Sequence, residues 1–186
     1  MHRILVRLVI VLGAASPPLA AQASFLVGYA GTVGKGDWQI EALEAGLATQ
    51  MGWGPLRSGA ATVRLGWFAD QAVFFRGTRG FIGAFAVALR SAPLSLARIG
   101  DELNPTIIGL DLSLEAAGYL AARSPIPEGT RWGSLAALPA LRVGTAEGAQ
   151  FMIMLGPAFF AGRTQQTHAF LAARGEFPLA RRRGGP

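Results

Sequence analysis

The stretch that decides the fold is Asn104–Ala122, with the sequence NPTIIGLDLSLEAAGYLAA. Between positions 108 and 114 the even positions are large and apolar, whereas the neighbouring odd positions are small or polar. Ile108, Leu110, Leu112 and Leu114 alternate in this way with Gly109, Asp111, Ser113 and Glu115. Successive side chains of a strand point to opposite faces, so the alternation predicts a strand with one apolar and one polar face. The segment is long enough to supply the roughly 9–11 residues with which a tilted strand crosses a bilayer.

A helix is the alternative for the same stretch. Asp111 and Glu115 are four residues apart, so a helix would place both on one face, and Asn104-Pro105 could begin it. Ser113 would fall away from that face. The strict two-residue alternation therefore favours the strand.

The N-terminal residues Met1–Ala23 have the pattern of a secretory signal peptide. Arg3 and Arg7 give a positively charged start, residues 8–15 form a short apolar run, and Ala21-Gln22-Ala23 is a small-x-small cleavage site. The apolar run is shorter than the roughly 18–20 residues of a membrane-spanning helix. We therefore expect export, with cleavage after Ala23.

The composition is apolar without long apolar blocks. Hydrophobic residues make up 51% of the chain and charged residues only 15%, against about a quarter in typical soluble domains. Yet charged residues interrupt each apolar run after position 23, as Arg90 and Arg98 do within 81–100. This combination is typical of a membrane β-barrel, because each strand mixes lipid-facing and lumen-facing residues. There is no cysteine for a disulfide or a lipid anchor.

Alternation recurs along the chain and predicts an all-β fold, an antiparallel up-and-down transmembrane β-barrel of residues 24–180. The predicted strands are 24–33, 38–49, 60–70, 81–92, 104–122, 132–145, 149–161 and 167–179, which gives about eight, with ten possible. Residues 93–104 are predicted as a longer connection that could hold a short helix. Pro139 and Pro157 are expected near strand ends or at bulges, because proline donates no ladder bond. Residues 181–186 are predicted as a disordered basic tail.

The polar faces of these strands carry charges of both signs. The residues predicted to point into the lumen are Glu41, Arg64, Arg90, Asp111, Glu115, Arg142, Arg174 and Glu176. Buried charges must pair, so we expect a plug of ion pairs in a lumen filled by side chains. A polar cavity for a small ligand, or a narrow ion path, is the alternative. Glu44 falls on the apolar side of its strand, which calls for a bulge or a position near the rim.

His168 invites an enzymatic interpretation, with Glu176 on the same face and Arg174 nearby. No serine lies within two residues of it, and we expect a polar lumen or rim residue without catalysis. The sequence contains no metal-ligand spacing or dinucleotide fingerprint, so no metal or cofactor is predicted. Nucleic-acid binding is not expected of an exported chain without a basic face on a folded element.

The signal peptide, the alternating segments, the turn spacing and the final strand HAFLAARGEF (168–177) resemble the small bacterial outer-membrane β-barrel proteins of the OmpA/OmpX type. The resemblance covers most of the mature chain and is one of pattern. It implies insertion into the outer membrane by the barrel-assembly machinery, which in that family reads an aromatic residue at the end of the last strand.

The predicted function is that of a non-enzymatic, monomeric outer-membrane barrel with a structural, adhesion or narrow-pore role, whose partners are outer-membrane lipid and the assembly machinery. A soluble periplasmic barrel that binds a lipid or small ligand is the main alternative. A lipid-modifying outer-membrane hydrolase and a helical membrane protein are further alternatives.

Overall fold

The computed structural model describes residues 23–34, 38–53, 55–70, 78–121, 129–145 and 148–179, which form strands and tight connections. None of these residues forms a helix that could cross a membrane. The predicted signal peptide before Ala23 and the predicted tail 181–186 lie outside the described residues. The strands are β1 (Ala23–Val33), β2 (Trp38–Trp53), β3 (Leu56–Asp70), β4 (Thr78–Ser91), β5 (Leu94–Ile99), β6 (Thr106–Ala121), β7 (Arg131–Thr145), β8 (Gln150–Ala161) and β9 (Gln165–Pro178).

Eight of these strands form a closed ring in the order β1-β2-β3-β4-β6-β7-β8-β9, and β9 pairs with β1. Every pairing is antiparallel. The prediction of an all-β, antiparallel, eight-stranded barrel is thus confirmed. The strand interpretation of the stretch 104–122 is confirmed too, because residues 106–121 of that stretch form β6.

β5 is a short additional strand that continues β4 along the same edge of β6. Arg90 of β4 lies opposite Ser113, and Leu94 of β5 lies opposite Leu110. The interruption falls at Ala92-Pro93, where proline cannot donate a ladder bond. The predicted helix-bearing connection is therefore wrong for this region. The first residues of β6, 106–110, extend past the end of its pairing with β4 at Arg90, and they pair with β5 instead.

Pro139 and Pro157 lie inside β7 and β8, and not at strand ends or bulges as predicted. The two strands are paired as far as Ala136↔Ala158 and again from Ala140↔Met154, with one unchanged register. Both prolines fall in the unpaired interval between these points. The missing N–H donors of both prolines therefore fall in a single gap between β7 and β8, so the rest of the barrel keeps its cross-strand hydrogen bonds.

Two ends of the barrel can be distinguished. We call the end where β1 begins and β9 finishes the terminal end, and the opposite end, which carries the β1–β2 connection, the loop end. Side chains alternate between an apolar outer face and a buried inner face along most strands. On β2, for example, Leu43 is 66% exposed whereas the next residue, Glu44, is 3% exposed.

Candidate functional site: the charged lumen

A ring of four charged side chains crosses the middle of the lumen. Arg64 donates from Nε to Glu44 (3.1 Å) and from Nη2 to Glu115. Arg174 donates from Nε and Nη2 to Glu44, and from Nη2 to Glu115 (2.6 Å). Each arginine thus holds both carboxylates, and the two charges of each sign cancel. This closed geometry satisfies buried charges on every side, which is the condition for tolerating them away from water.

Strand register brings the ring together. Glu44 and Arg64 face each other directly across β2 and β3. Glu44 and Arg174 are separated by β1, and the β1 residue opposite both is Gly28. A Cβ atom at Gly28 would lie 2.3 Å from the Ala173 carbonyl oxygen and 3.0 Å from Arg174 Cγ. The glycine therefore leaves the space through which the ion pair reaches across the strand.

Two further ion pairs lie toward the terminal end. Arg90 donates from Nη1 to Glu176, and Arg142 donates from Nη2 to Asp111. Arg142 also donates from Nη1 to Gln150 Oε1 at 2.8 Å. Like the ring, these two pairs are neutral, so the ion pairs described in the lumen leave no net charge.

Toward the loop end the lumen is filled by aromatic rings. Tyr119 stacks on Trp132 with ring centroids 5.3 Å apart, and Trp38 meets Phe160 edge to face at 5.1 Å. Tyr119 also connects this layer to the ring, because Arg64 Nη1 donates to its hydroxyl at 3.2 Å. Aromatic pairs at these distances leave no room for a wide passage, so the two layers together form a continuous packed interior.

His168 belongs to the aromatic layer. Its ring lies 4.3 Å from that of Trp38, and its Nε2 atom is 3.1 Å from Gln166 Oε1. These contacts are those of a packing residue at the inner wall. Glu176 pairs with Arg90 at the other end of β9, so the two residues share a face without meeting.

Seven of the eight predicted lumen charges lie within these ion pairs: Arg64, Arg90, Asp111, Glu115, Arg142, Arg174 and Glu176. Glu41 is also buried, with 7% of its surface exposed, but it lies outside these ion pairs. It shares the face of β2 that carries Leu43, opposite Trp67 of β3. Glu44 occupies the inward position instead, so the predicted faces of β2 are reversed and no bulge is required at Glu44.

Sequence reasoning missed Glu44 as a member of the ring. The available signal was the size of its neighbours, because Leu43 and Leu47 are bulky and exposed whereas Ala42 and Ala48 are small and buried. In a narrow barrel the small residues belong inside, beside the large charged ones. The aromatic start of the strand concealed this signal, since Trp38 also points inward.

Among the residues that the structure describes, no group of three or more histidine or acidic side chains is arranged to hold a metal ion. Comparisons of the chain with protein-family models, curated proteins and solved structures find no match.

Proposed function

We propose that the protein is a non-enzymatic β-barrel of the bacterial outer membrane, with the ion-paired lumen acting as a rigid internal scaffold. The observation that carries the proposal is the inverted distribution of polarity. Leucine and phenylalanine side chains are exposed around the outside, whereas arginine and glutamate side chains are buried inside. A water-soluble barrel would gain by the opposite arrangement, and hydrocarbon is the medium that makes this one favourable.

The filled lumen supports a structural or adhesion role over transport. The charged ring spans β2, β3, β6 and β9, and the aromatic layer covers it toward the loop end. An eight-stranded barrel is wide enough for its own side chains or one small ligand, and not for an open aqueous channel. Any specific recognition would then fall to the connections at its ends.

The end of β9 supports assembly by the barrel-insertion machinery. Phe177 is the penultimate residue of the last strand and lies on the outer face, 38% exposed. An exposed aromatic residue at this place matches what the outer-membrane resemblance implies. We propose that Phe177 is the residue which that machinery reads.

The main alternative, a soluble periplasmic carrier, would need an apolar interior around its ligand. The described inner face instead carries four arginines and four carboxylates in ion pairs, and the apolar side chains lie outside. The polarity of the two faces therefore favours the membrane barrel.

Fractionation combined with gel mobility tests the proposal. The full chain, expressed in a Gram-negative host, should remain with outer membranes after a carbonate wash and should migrate differently on a gel before and after boiling. Release by carbonate would indicate the soluble carrier. Absence of a mobility shift in membrane-associated protein would overturn the barrel in the membrane. A planar-bilayer recording should show no steady conductance, and a stable open channel would refute the scaffold role.

A further inference from the structure

The terminal end of the lumen contains a cluster of buried polar atoms without hydrogen-bond partners among the described residues. Arg90 is fully buried, and its Nε and Nη2 atoms have no partner. The same holds for Ser113 Oγ, Asp111 Oδ1 and Arg142 Nε. A buried polar group left unpaired costs about 1–3 kcal/mol, so five of them in one place point to a bound molecule.

Strand register places these atoms together. Arg90 and Ser113 are directly opposite each other on β4 and β6, which corresponds to about 5 Å between their Cα atoms. Asp111 lies two residues from Ser113 on the same inner face, and Arg142 is bound to Asp111. We call the region between these four residues the terminal chamber.

The unpaired atoms define what the terminal chamber would bind. Nε and Nη2 of a guanidinium form one edge with two parallel N–H donors, so Arg90 can hold a single acceptor molecule through two bonds. Asp111 Oδ1 is an acceptor, and Ser113 can donate or accept. The charges of Arg90 and Arg142 are already balanced by Glu176 and Asp111. An ion would therefore bring an uncompensated charge into the lumen, whereas a neutral molecule would not.

Exposure indicates the route of access. The side chains of Arg142 and Glu176 are 16% and 10% exposed, whereas those of Arg90 and Asp111 are 0% exposed. Exposure thus falls from the terminal rim inward. The charged ring and the aromatic layer lie beyond the chamber on the other side.

We propose that the terminal chamber is a binding site for small uncharged hydrogen-bonding molecules larger than water, and that it is entered from the terminal end. The inference depends on the fold alone and not on the proposed membrane location. Ordered water commonly satisfies buried polar groups of this kind, typically through two to four hydrogen bonds each.

The absence of cysteine allows a direct test with single-cysteine reporters. Ser113→Cys places a thiol in the chamber. Ala140→Cys provides a second reporter, because Ala140 is buried directly opposite Asp111. Ala86→Cys is the control, since Ala86 is also buried but lies opposite Ala117, beyond the level of Glu115 and away from the four chamber residues. Each purified variant is treated with neutral methyl methanethiosulfonate and with its anionic sulfonatoethyl and cationic trimethylammonioethyl relatives.

Both chamber reporters should react with the neutral reagent at least about tenfold faster than Ala86→Cys, because close-packed core leaves no room for a reagent. Both charged reagents should react more slowly than the neutral one. Circular dichroism of each variant establishes that it is folded, independently of where the protein resides. If Ser113→Cys does not fold, Ala140→Cys decides the outcome.

Three results would overturn the inference. Folded chamber variants that do not react would show that nothing larger than water enters the chamber. A control that reacts as fast as the reporters would attribute labelling to general opening of the barrel. A clear preference for the anionic or the cationic reagent would mean that the chamber binds ions and not neutral molecules.

Discussion

Glu44 and Arg174 form a buried ion pair across the whole width of β1, and only Gly28 lies between them. Their contact depends on the absence of a side chain at position 28, because any Cβ atom there would collide with backbone and with Arg174. A glycine in the interior of a strand usually weakens it, and close approach of other groups is the reason to keep one.

Gly28→Ala should therefore destabilise the barrel by about 1–3 kcal/mol, the usual cost of forcing an extra methyl into a packed interior. The measurement is the urea concentration at which the folded form is lost, read by circular dichroism. Gly118→Ala is the matched control, since a Cβ atom there meets nothing within 4 Å. Equal midpoints for the two variants would contradict the role assigned to Gly28.

Removing one carboxylate from the charged ring should be more damaging. Glu115→Gln leaves Arg64 and Arg174 with Glu44 as their remaining carboxylate, and breaking a buried ion pair from one side costs about 3–5 kcal/mol. Glu102→Gln, in the exposed β5–β6 connection, should leave stability unchanged.

A double variant separates charge balance from simple loss of packing. Glu115→Gln combined with Arg174→Gln leaves the pair of Arg64 and Glu44, which is neutral again. We expect this variant to be more stable than the sum of its two single changes predicts, because the two sites are coupled. Additive losses would show that the ring does not act as a unit.

If lipid covers the apolar outer face, the cost of a charged substitution on that face should depend on its depth in the membrane. Leu43→Arg should cost about 2–4 kcal/mol if the outer face is lipid-covered, whereas a charge near an interface costs about 0–1 kcal/mol. Gln39→Arg lies on the same face of the same strand, near the loop end, and serves as the comparison. Similar small effects in unfolding from lipid vesicles would argue that water, and not hydrocarbon, covers Leu43.

The gap between β7 and β8 should be visible by hydrogen exchange. Peptides that contain residues 137–139 and 155–157 lack cross-strand pairing in this seam, so their amides should exchange faster than those of residues 112–118. The latter segment of β6 is the control, because its ladder with β7 is unbroken. Uniform protection across the three segments, measured by mass spectrometry on folded protein, would mean that β7 and β8 are hydrogen-bonded across this gap in solution.

Much of this architecture could be predicted from side-chain alternation. The period of two on β6 identified which residues face inward, and it placed Asp111 and Glu115 among the buried charges before any partner was known. Alternation works here because each strand has a different medium on each side, as in any barrel with unlike inner and outer faces.

The faces of β2 could not be predicted in the same way. Trp38 and Ile40 are apolar and lie on the face of β2 opposite to Glu41, the residue predicted to point into the lumen, yet they are buried in the aromatic layer. Hydrophobicity alone does not distinguish a side chain that faces lipid from one that packs among aromatic rings in the interior. The sequence also does not reveal which charged residues pair with each other in the ring, because Arg174 meets Glu44 only through the closure of β9 on β1. β5 was missed since a six-residue strand beside a proline carries little periodic signal.

The first and last strands are neighbours, and the backbone N–H of Leu179 donates to the carbonyl oxygen of Ala23 at 3.0 Å. The ring therefore cannot close until synthesis of the polypeptide has reached its final strand. A product that lacks β9 would present open edges on both β1 and β8, each a template for aggregation. The edges of β1 and β8 therefore stay unpaired until β9 joins them.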